Sequence, residues 1–195
     1  MKYQAVIGIC IALPIAWLAS TNVVPAQNVK GPEYTEDGQV KLPLSWRTKW
    51  IFIGSPLTPN GLNDGKASFP EFHNVYIEPS AYAAYRKTRK FPEGTQILKE
   101  LQLVERSDDP NGSATEPSGV GYFPGKLNGV DFTVKDIKRF PKAPGGWAYF
   151  NFGHHAPPYP KSAKAQPNEA CAACHEASAG DDMVFDEFYS ILKAD

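Results

Sequence analysis

Two cysteines and a histidine close to the end of the sequence have the types and the spacing of a covalent cofactor site. Cys171 and Cys174 are separated by two alanines, and His175 follows the second cysteine directly. Each thiol can add across one vinyl group of a haem, and the histidine is then placed to bind the iron from the proximal side. A zinc site would need further Cys or His ligands at matching spacing, and a redox disulfide expects a βαβ context. The sequence has neither feature, so it predicts a c-type haem.

The N-terminal segment has the composition of an export signal. A positively charged start is followed by an apolar run over 5–19, and small residues at 24–26 suit cleavage by a signal peptidase. The run is short for a transmembrane helix, although an uncleaved anchor is the alternative. We expect 1–26 to be removed, Cys10 with them, leaving 27–195 as a single haem domain. Because haem is attached to such a motif outside the bacterial cytoplasmic membrane, we expect a periplasmic protein without a membrane span in its mature form.

The overall composition argues against a strongly charged partner. The 195 residues include 20 Lys and Arg against 21 Asp and Glu, a net charge of −1, so neither a nucleic-acid-binding surface nor a strongly acidic docking face is implied. The chain also has 18 prolines, 16 glycines, 11 phenylalanines and 9 tyrosines, which favours short strands, many turns and an aromatic core. We therefore predict an α+β, β-dominated fold, with an antiparallel sheet, a few helices and the haem site at its C-terminal end.

Short apolar and aromatic runs between glycine and proline turns indicate the elements that would position the site. A helix is predicted over 81–89, with a proline near its first turn. A second is predicted over 182–193, beside the haem, because apolar residues recur there at helical spacing. We expect 105–119 to be unstructured and 157–170 to be a linker, while 46–53 is either a strand or a helical turn leading into one. The other predicted strands are 72–77, 95–104, 121–123, 130–134 and 147–152.

The side chain at the second axial position of the iron decides between an electron carrier and an open site. A carrier would use methionine or a second histidine there. Met183 follows His175 too closely in the chain to reach round to the opposite haem face. His73, His154 and His155 are the other choices, and the last two lie between a glycine and a proline pair, as turn residues do. The sequence therefore predicts an open position, typical of ligand binding or catalysis, with a second histidine ligand as the alternative.

Lys99 is unusual in the predicted strand 95–104. Because alternate residues of a strand face the same side, Lys99 shares its face with Ile97, Leu101 and Leu103 and is the charged residue among them. A lysine on a buried face is costly unless it is paired, neutralised or chemically used. The alternative is an edge strand from which the lysine reaches water.

Over residues 44–192 the sequence resembles the cytochrome P460 family, periplasmic haem proteins of ammonia- and methane-oxidising bacteria that oxidise hydroxylamine. The resemblance rests on many short segments in the same order, and their combination is far more specific than the haem motif alone. The segments are LTPNGLNDGK (57–66), VYIEP (75–79) with Tyr82, LKEL (98–101), GYF (121–123), VKD (134–136), KRF (138–140), GWA (146–148), CAACH (171–175) and DMVF (182–185).

The resemblance implies a mainly β homodimer in which a lysine is bonded to a meso carbon of the porphyrin, and that lysine aligns with Lys99. It implies an enzyme that oxidises hydroxylamine to nitric oxide or nitrous oxide, with nitrite as a further product, and passes electrons to a periplasmic c-type cytochrome. The haem c would be held by Cys171, Cys174, Lys99 and the iron ligand His175. A sister group, cytochrome c-prime beta, lacks the lysine link and binds nitric oxide in an apolar pocket, so a nitric-oxide-binding protein is the alternative.

Three further residues are implied by alignment with the family. His73 stands where family members carry an arginine, and it would be a distal proton acceptor or a weak iron ligand unless it faces outward. Asp131 stands where a family carboxylate is expected near the distal side of the haem, but its alternation with apolar neighbours leaves its direction open. Gln166 lies in the linker where the family varies a residue that caps the distal pocket. With Lys99, these three residues form the predicted catalytic set.

Overall fold

The structure, a computed structural model, describes residues 28–194, and the predicted export signal lies outside them. The strands in this range are β1 (Val40–Lys41), β2 (Ile51–Gly54), β3 (Phe72–Ile77), β4 (Gln96–Val104), β5 (Ala114–Glu116), β6 (Gly119–Gly121), β7 (Pro124–Lys135), β8 (Trp147–Asn151) and β9 (Ser162–Ala163). Five of them form an antiparallel sheet in the order β2-β3-β4-β7-β8, so β4 lies in the middle. β1 pairs with β9, and β5 with β6. The predicted β-dominated, antiparallel α+β fold is confirmed.

Short α-helices accompany the sheet. Those in the described residues are α1 (Trp46–Lys49), α2 (Pro79–Thr88), α3 (Ala172–Ser178) and α4 (Ser190–Lys193). α2 begins where the Glu78 carboxylate accepts hydrogen bonds from the N–H groups of Ser80 and Ala81, with a proline in its first turn. Within the described range, each helix is too short or too polar to cross a membrane.

The central sheet is buried on both faces, because its strands carry apolar residues at both alternating sets of positions. One face, which we call the motif face, packs against α2, α3 and the C-terminal segment, and its core includes Val75, Ile97 and Tyr149. The opposite face, the back face, packs against the N-terminal segment through Leu98 and Phe132. The haem motif immediately before and within α3 therefore meets the sheet on the motif face.

Several predicted elements are confirmed. Segment 46–53 is a helical turn leading into a strand, the second of the two interpretations. β3 has the predicted bounds, and β4 and β8 each differ from theirs by one residue at one end. α2 begins two residues before its predicted start, because Glu78 rather than a later residue caps it.

The predicted strand 121–123 is wrong in its bounds, since β6 ends at Gly121 and the next strand begins at Pro124. The predicted strand 130–134 is confirmed but is part of a longer one, because β7 runs without interruption over Pro124–Lys135. The glycines in this stretch indicated turns in the sequence. In the structure they lie at register shifts between β4 and β7, where glycine is common in a bulged strand. At Gly129 a Cβ atom would meet the Gly153 carbonyl oxygen at 2.7 Å, so a close backbone approach explains the glycine.

Two segments predicted without strands contain them. The hairpin of β5 and β6 begins inside 105–119, which was expected to be unstructured. The linker 157–170 contributes β9, which pairs with β1. Both pairings use very short strands whose partners are not apparent from local sequence alone.

The predicted C-terminal helix over 182–193 is wrong. Asp182 and Met183 have φ angles of +61°, in the left-handed region that a right-handed helix excludes. Two 3-10 turns, Asp181–Met183 and Asp186–Phe188, precede the short α4. The helical spacing of the apolar residues has another cause, since Val184 and Leu192 both reach the core of the motif face from separate turns.

Candidate functional site

The haem motif packs on the motif face against β8, the strand at one edge of the sheet. Cys171 directly precedes α3, while Cys174 and His175 lie within that helix. Both cysteines are free thiols, Cys171 partly buried and Cys174 exposed. The His175 ring lies 4.6 Å from that of Tyr149, on β8, and this contact holds the motif against the sheet.

One hydrogen bond sets the orientation of His175. Its Nδ1 lies 2.9 Å from the carbonyl oxygen of Met183, which can only accept, so Nδ1 is assigned the proton. This leaves Nε2 as the atom with a free lone pair, in the manner of a metal-binding histidine held by a carbonyl. The rings of Tyr149 and Phe185 flank it, and burial lowers the pKa of His175, which favours the neutral form that binds metals.

These residues fit a c-type haem. The two thiols are unpaired with each other, the histidine presents one unprotonated nitrogen, and aromatic rings line the surroundings. Within residues 28–194, no cluster of three or more His, Cys, Asp or Glu side chains could hold a metal ion by itself. The zinc alternative therefore lacks its ligands in this range.

Lys99 lies at the centre of the sheet and faces the same side as the haem motif. In the register, it is opposite Val75 on β3 and Asp131 on β7. Its Nζ is 2.9 Å from Asp131 Oδ2 and 4.1 Å from the centre of the Phe69 ring. The edge-strand alternative is wrong, because β4 is paired on both sides. The lysine is tolerated on this face because it is paired.

Asp131 also faces the motif side, which resolves the question of its direction. The alternation with apolar neighbours was ambiguous because those neighbours fill the core of the back face. Its carboxylate accepts a 2.7 Å hydrogen bond from Asn151, and His154 Nε2 lies at 3.5 Å. Burial acts to raise the pKa of Asp131, but hydrogen bonding from His154 and the charge of Lys99 outweigh it and hold that pKa well below its ordinary value.

His73 lies on the motif face beside this pair, so the outward-facing alternative is wrong. It lies two residues before Val75 on β3, so both side chains are on the same face of the sheet. Its Nε2 is 3.3 Å from the Phe69 carbonyl oxygen, and its ring meets the Phe69 ring edge-on at 5.8 Å. Burial and the charge of Lys99 lower the pKa of His73 to about 4, so the side chain is neutral at ordinary pH.

Phe69 was missed in the sequence, and His154 was considered only as a second axial ligand or a turn residue. Phe69 contacts Lys99, His73 and His154 with its ring, and no local pattern indicated it. His154 was interpreted as a turn residue, yet its contact with Asp131 raises the pKa of His154. One signal could have indicated His154: a buried carboxylate such as Asp131 usually has a cationic or hydrogen-bonding partner nearby.

Gln166 is joined to the site by a backbone hydrogen bond. Its N–H donates a 2.7 Å hydrogen bond to the carbonyl oxygen of Tyr149, whose ring contacts His175. The contact places the linker along the outer edge of β8. A capping role for the Gln166 side chain stays a prediction.

The two halves of the site are electrostatic neighbours. The charges of Lys99 and Asp131 both act on the pKa values of Cys171 and His175, although burial is the larger influence on each. The lysine–aspartate pair therefore lies within electrostatic range of the haem motif, on the same face of the sheet.

The partly buried, neutral His73 predicts an acid-sensitive fold. Its folded-state pKa of about 4 lies below the ordinary 6.5, so between these values the unfolded chain binds a proton that the folded protein does not. We expect the free energy of unfolding of the haem-loaded protein to fall by roughly 2–3 kcal/mol as the pH is lowered through this window. Denaturant titrations of the His73→Gln protein should lose this part of the pH dependence, whereas the exposed His155→Gln should retain it. If the free energy of unfolding of His73→Gln fell with pH as steeply as that of the wild type, the lowered pKa of His73 would be contradicted.

Comparison with protein-family models matches residues 43–186 to the family described as Cytochrome P460. A search of curated protein sequences finds no match. The matched region contains Lys99, Asp131 and the complete haem motif. Because it covers well over half of the sequence, the chain belongs to the cytochrome P460 family, which indicates a c-type haem protein with haem-based redox activity.

Proposed function

We propose that this protein is a periplasmic haem c oxidoreductase that oxidises hydroxylamine to nitric oxide or nitrous oxide, with nitrite as a further product, and that Lys99 is bonded to its porphyrin. Family membership supports the haem and the redox class. The finer proposal rests on one observation: an amine in the centre of the sheet lies on the same face as the haem motif and is paired with a carboxylate.

A haem attached to Cys171 and Cys174 would supply an iron that binds the substrate nitrogen and takes up its electrons. Oxidation of hydroxylamine to nitric oxide releases as many protons as electrons, so the protein must accept protons near the substrate. Asp131 is the acceptor, because it is ionised and lies on the motif face. His154, in contact with Asp131 and partly exposed, passes the proton on to solvent.

The lysine link changes what Asp131 can do. A free Lys99 is an ammonium group that holds the carboxylate in an ion pair. Once its nitrogen is bonded to the porphyrin, that nitrogen no longer carries a full positive charge under ordinary conditions. Asp131 then keeps Asn151 and His154 as partners and becomes free to accept a proton from the substrate.

Two other functions have specific support. His73 is neutral and faces the motif side, which would suit a second axial ligand in an electron carrier. The Phe69 ring beside Lys99 adds apolar surface, which would suit a nitric-oxide-binding protein without the link. We favour the enzyme because both alternatives leave the paired lysine and aspartate without a use.

The remaining parts of the proposal follow from the export signal and the family resemblance. We propose cleavage after residue 26, a periplasmic location, a homodimer, and a periplasmic c-type cytochrome as electron acceptor.

The test uses the haem-loaded protein purified from the periplasm of an expression host. We expect it to consume hydroxylamine in the presence of a chemical electron acceptor, and we expect protease digestion to give a haem peptide whose mass joins the fragments containing Lys99 and Cys171. Haem on the Cys171 fragment alone, with nitric oxide binding but no turnover, would favour the binding protein. A six-coordinate low-spin spectrum at neutral pH that His73→Gln abolishes would favour the carrier.

A further inference from the structure

A cluster behind the haem motif holds the segment that contacts His175. The Lys135 Nζ lies 2.6 and 2.7 Å from the two carboxylate oxygens of Asp182, and it donates a further bond to the Phe91 carbonyl oxygen at 3.1 Å. The indole N–H of Trp147, a fully buried residue, donates to the same carboxylate at 3.1 Å. We call Lys135, Trp147 and Asp182 the clamp.

The clamp fixes a backbone conformation that side-chain-bearing residues rarely adopt. Asp182 and Met183 both have φ angles of +61°. A non-glycine residue in this region is strained and persists only where its surroundings hold it. One cation, Lys135, and one neutral donor, Trp147, hold Asp182 in place, and they lie at the end of β7 and the start of β8.

The outcome of this conformation is the hydrogen bond to His175. The left-handed backbone places the Met183 carbonyl oxygen 2.9 Å from His175 Nδ1. The hydroxyl of Tyr149 lies 3.5 Å from the same oxygen. A carbonyl that accepts from Nδ1–H increases the basicity of the other ring nitrogen, which strengthens its donation to a metal. Stronger donation favours the oxidised metal and lowers the reduction potential.

We propose that the Lys135–Trp147–Asp182 clamp positions the Met183 carbonyl against His175 and thereby sets the reduction potential of the haem. The residues act through the backbone and need no contact with the cofactor. This inference rests on the proposed function only in requiring haem ligation by His175, and it holds whether or not Lys99 is linked or hydroxylamine is the substrate.

The experiment compares haem-loaded variants by redox titration and by the ferrous iron–histidine stretching frequency in resonance Raman spectra. Asp182→Gly removes the clamp but tolerates the left-handed backbone, and Asp182→Asn keeps an acceptor for Trp147 but loses the charge. We expect a roughly tenfold change in the reduction equilibrium in favour of the ferrous form for Asp182→Gly, about 59 mV for a one-electron couple, with a lower stretching frequency. Asp182→Asn should show a smaller change in the same direction.

Two further variants complete the test. Lys135→Met should change the reduction potential and the stretching frequency as Asp182→Asn does. Lys135→Arg, which keeps a cation, should have the wild-type values of both. Asp136→Asn is the matched control, because Asp136 follows Lys135 directly but contacts Tyr34 and Arg139 instead. Wild-type potential and frequency in Asp182→Gly would overturn the proposal, as would an equal shift in Asp136→Asn. Loss of the Lys99-containing haem peptide would bear on the proposed function alone.

Discussion

Replacing Lys99 with leucine is expected to leave the haem on Cys171 and Cys174 but to lower hydroxylamine turnover by roughly 100-fold or more, the scale for removing one group that tunes a reacting centre. Thioether attachment depends on the motif at residues 171–175, which Lys99 does not contact through any hydrogen bond or ion pair recorded in the described residues. The proposed link does depend on the amine. Mass analysis of the digested variant should find haem on the motif peptide alone.

A second variant separates the link from the charge of Lys99. Arginine retains a cation for Asp131 and for the Phe69 ring but lacks the primary amine. We expect Lys99→Arg to be as inactive as Lys99→Leu and to be the more stable of the two, since in Lys99→Leu the partly buried Asp131 loses its cation. Turnover in Lys99→Arg close to that of the wild type would show that the ion pair, and not the link, is needed. Full turnover in Lys99→Leu would contradict the mechanism altogether.

The parts of this site that could be predicted from sequence are those encoded by local pattern. The spacing of the two cysteines and His175 requires no tertiary information. Lys99 was predicted to lie on the apolar face of its strand because alternation in a strand is strict and its neighbours Ile97 and Leu101 are apolar. Its relation to the haem came from the family resemblance. The strand at 72–77 was bounded correctly because turn-forming residues flank a run of strand-favouring ones.

The direction of Asp131 could not be predicted from alternation. Pattern reading assigns the apolar side of a strand to the core, but this sheet has a core on each face. The polar side of β7 therefore faces a buried site instead of solvent. Such a strand can be oriented only through its register with a neighbour, here the pairing of Asp131 with Lys99.

The prediction of a C-terminal helix over 182–193 failed for a related reason. Apolar residues at helical spacing indicate which residues face a core, and successive turns that cross the same surface give the same spacing. The backbone conformation at Asp182 is then set by its contacts with Lys135 and Trp147, which are more than thirty residues away in the sequence. The contact of His154 with Asp131 was not predicted for the same reason, because it joins two residues that are distant in the sequence.

Asp131→Asn tests the proton acceptor and should have the other large effect. Asparagine has nearly the same shape and retains a carbonyl oxygen for the Asn151 amide, but it takes up no proton at ordinary pH. Loss of a positioned acid–base group lowers rates by roughly 10²–10⁴-fold. We expect a fall of this size in the rate constant kcat, measured as oxidant-dependent hydroxylamine consumption, with haem content unchanged.

The pH dependence makes this test specific. Because the folded-state pKa of Asp131 is depressed, its contribution to stability is present above its unfolded value of 3.8 and is lost as the pH falls. Asp131→Asn should therefore be less stable than the wild type at neutral pH, and the difference should shrink in acid. His154→Gln should retain most of the rate but shift the acidic limb of the pH–rate profile, since it removes the group that hydrogen bonds to Asp131. The matched control is again Asp136→Asn, one residue beyond the end of the same strand, and a loss of turnover there as large as in Asp131→Asn would mean that the effect is structural.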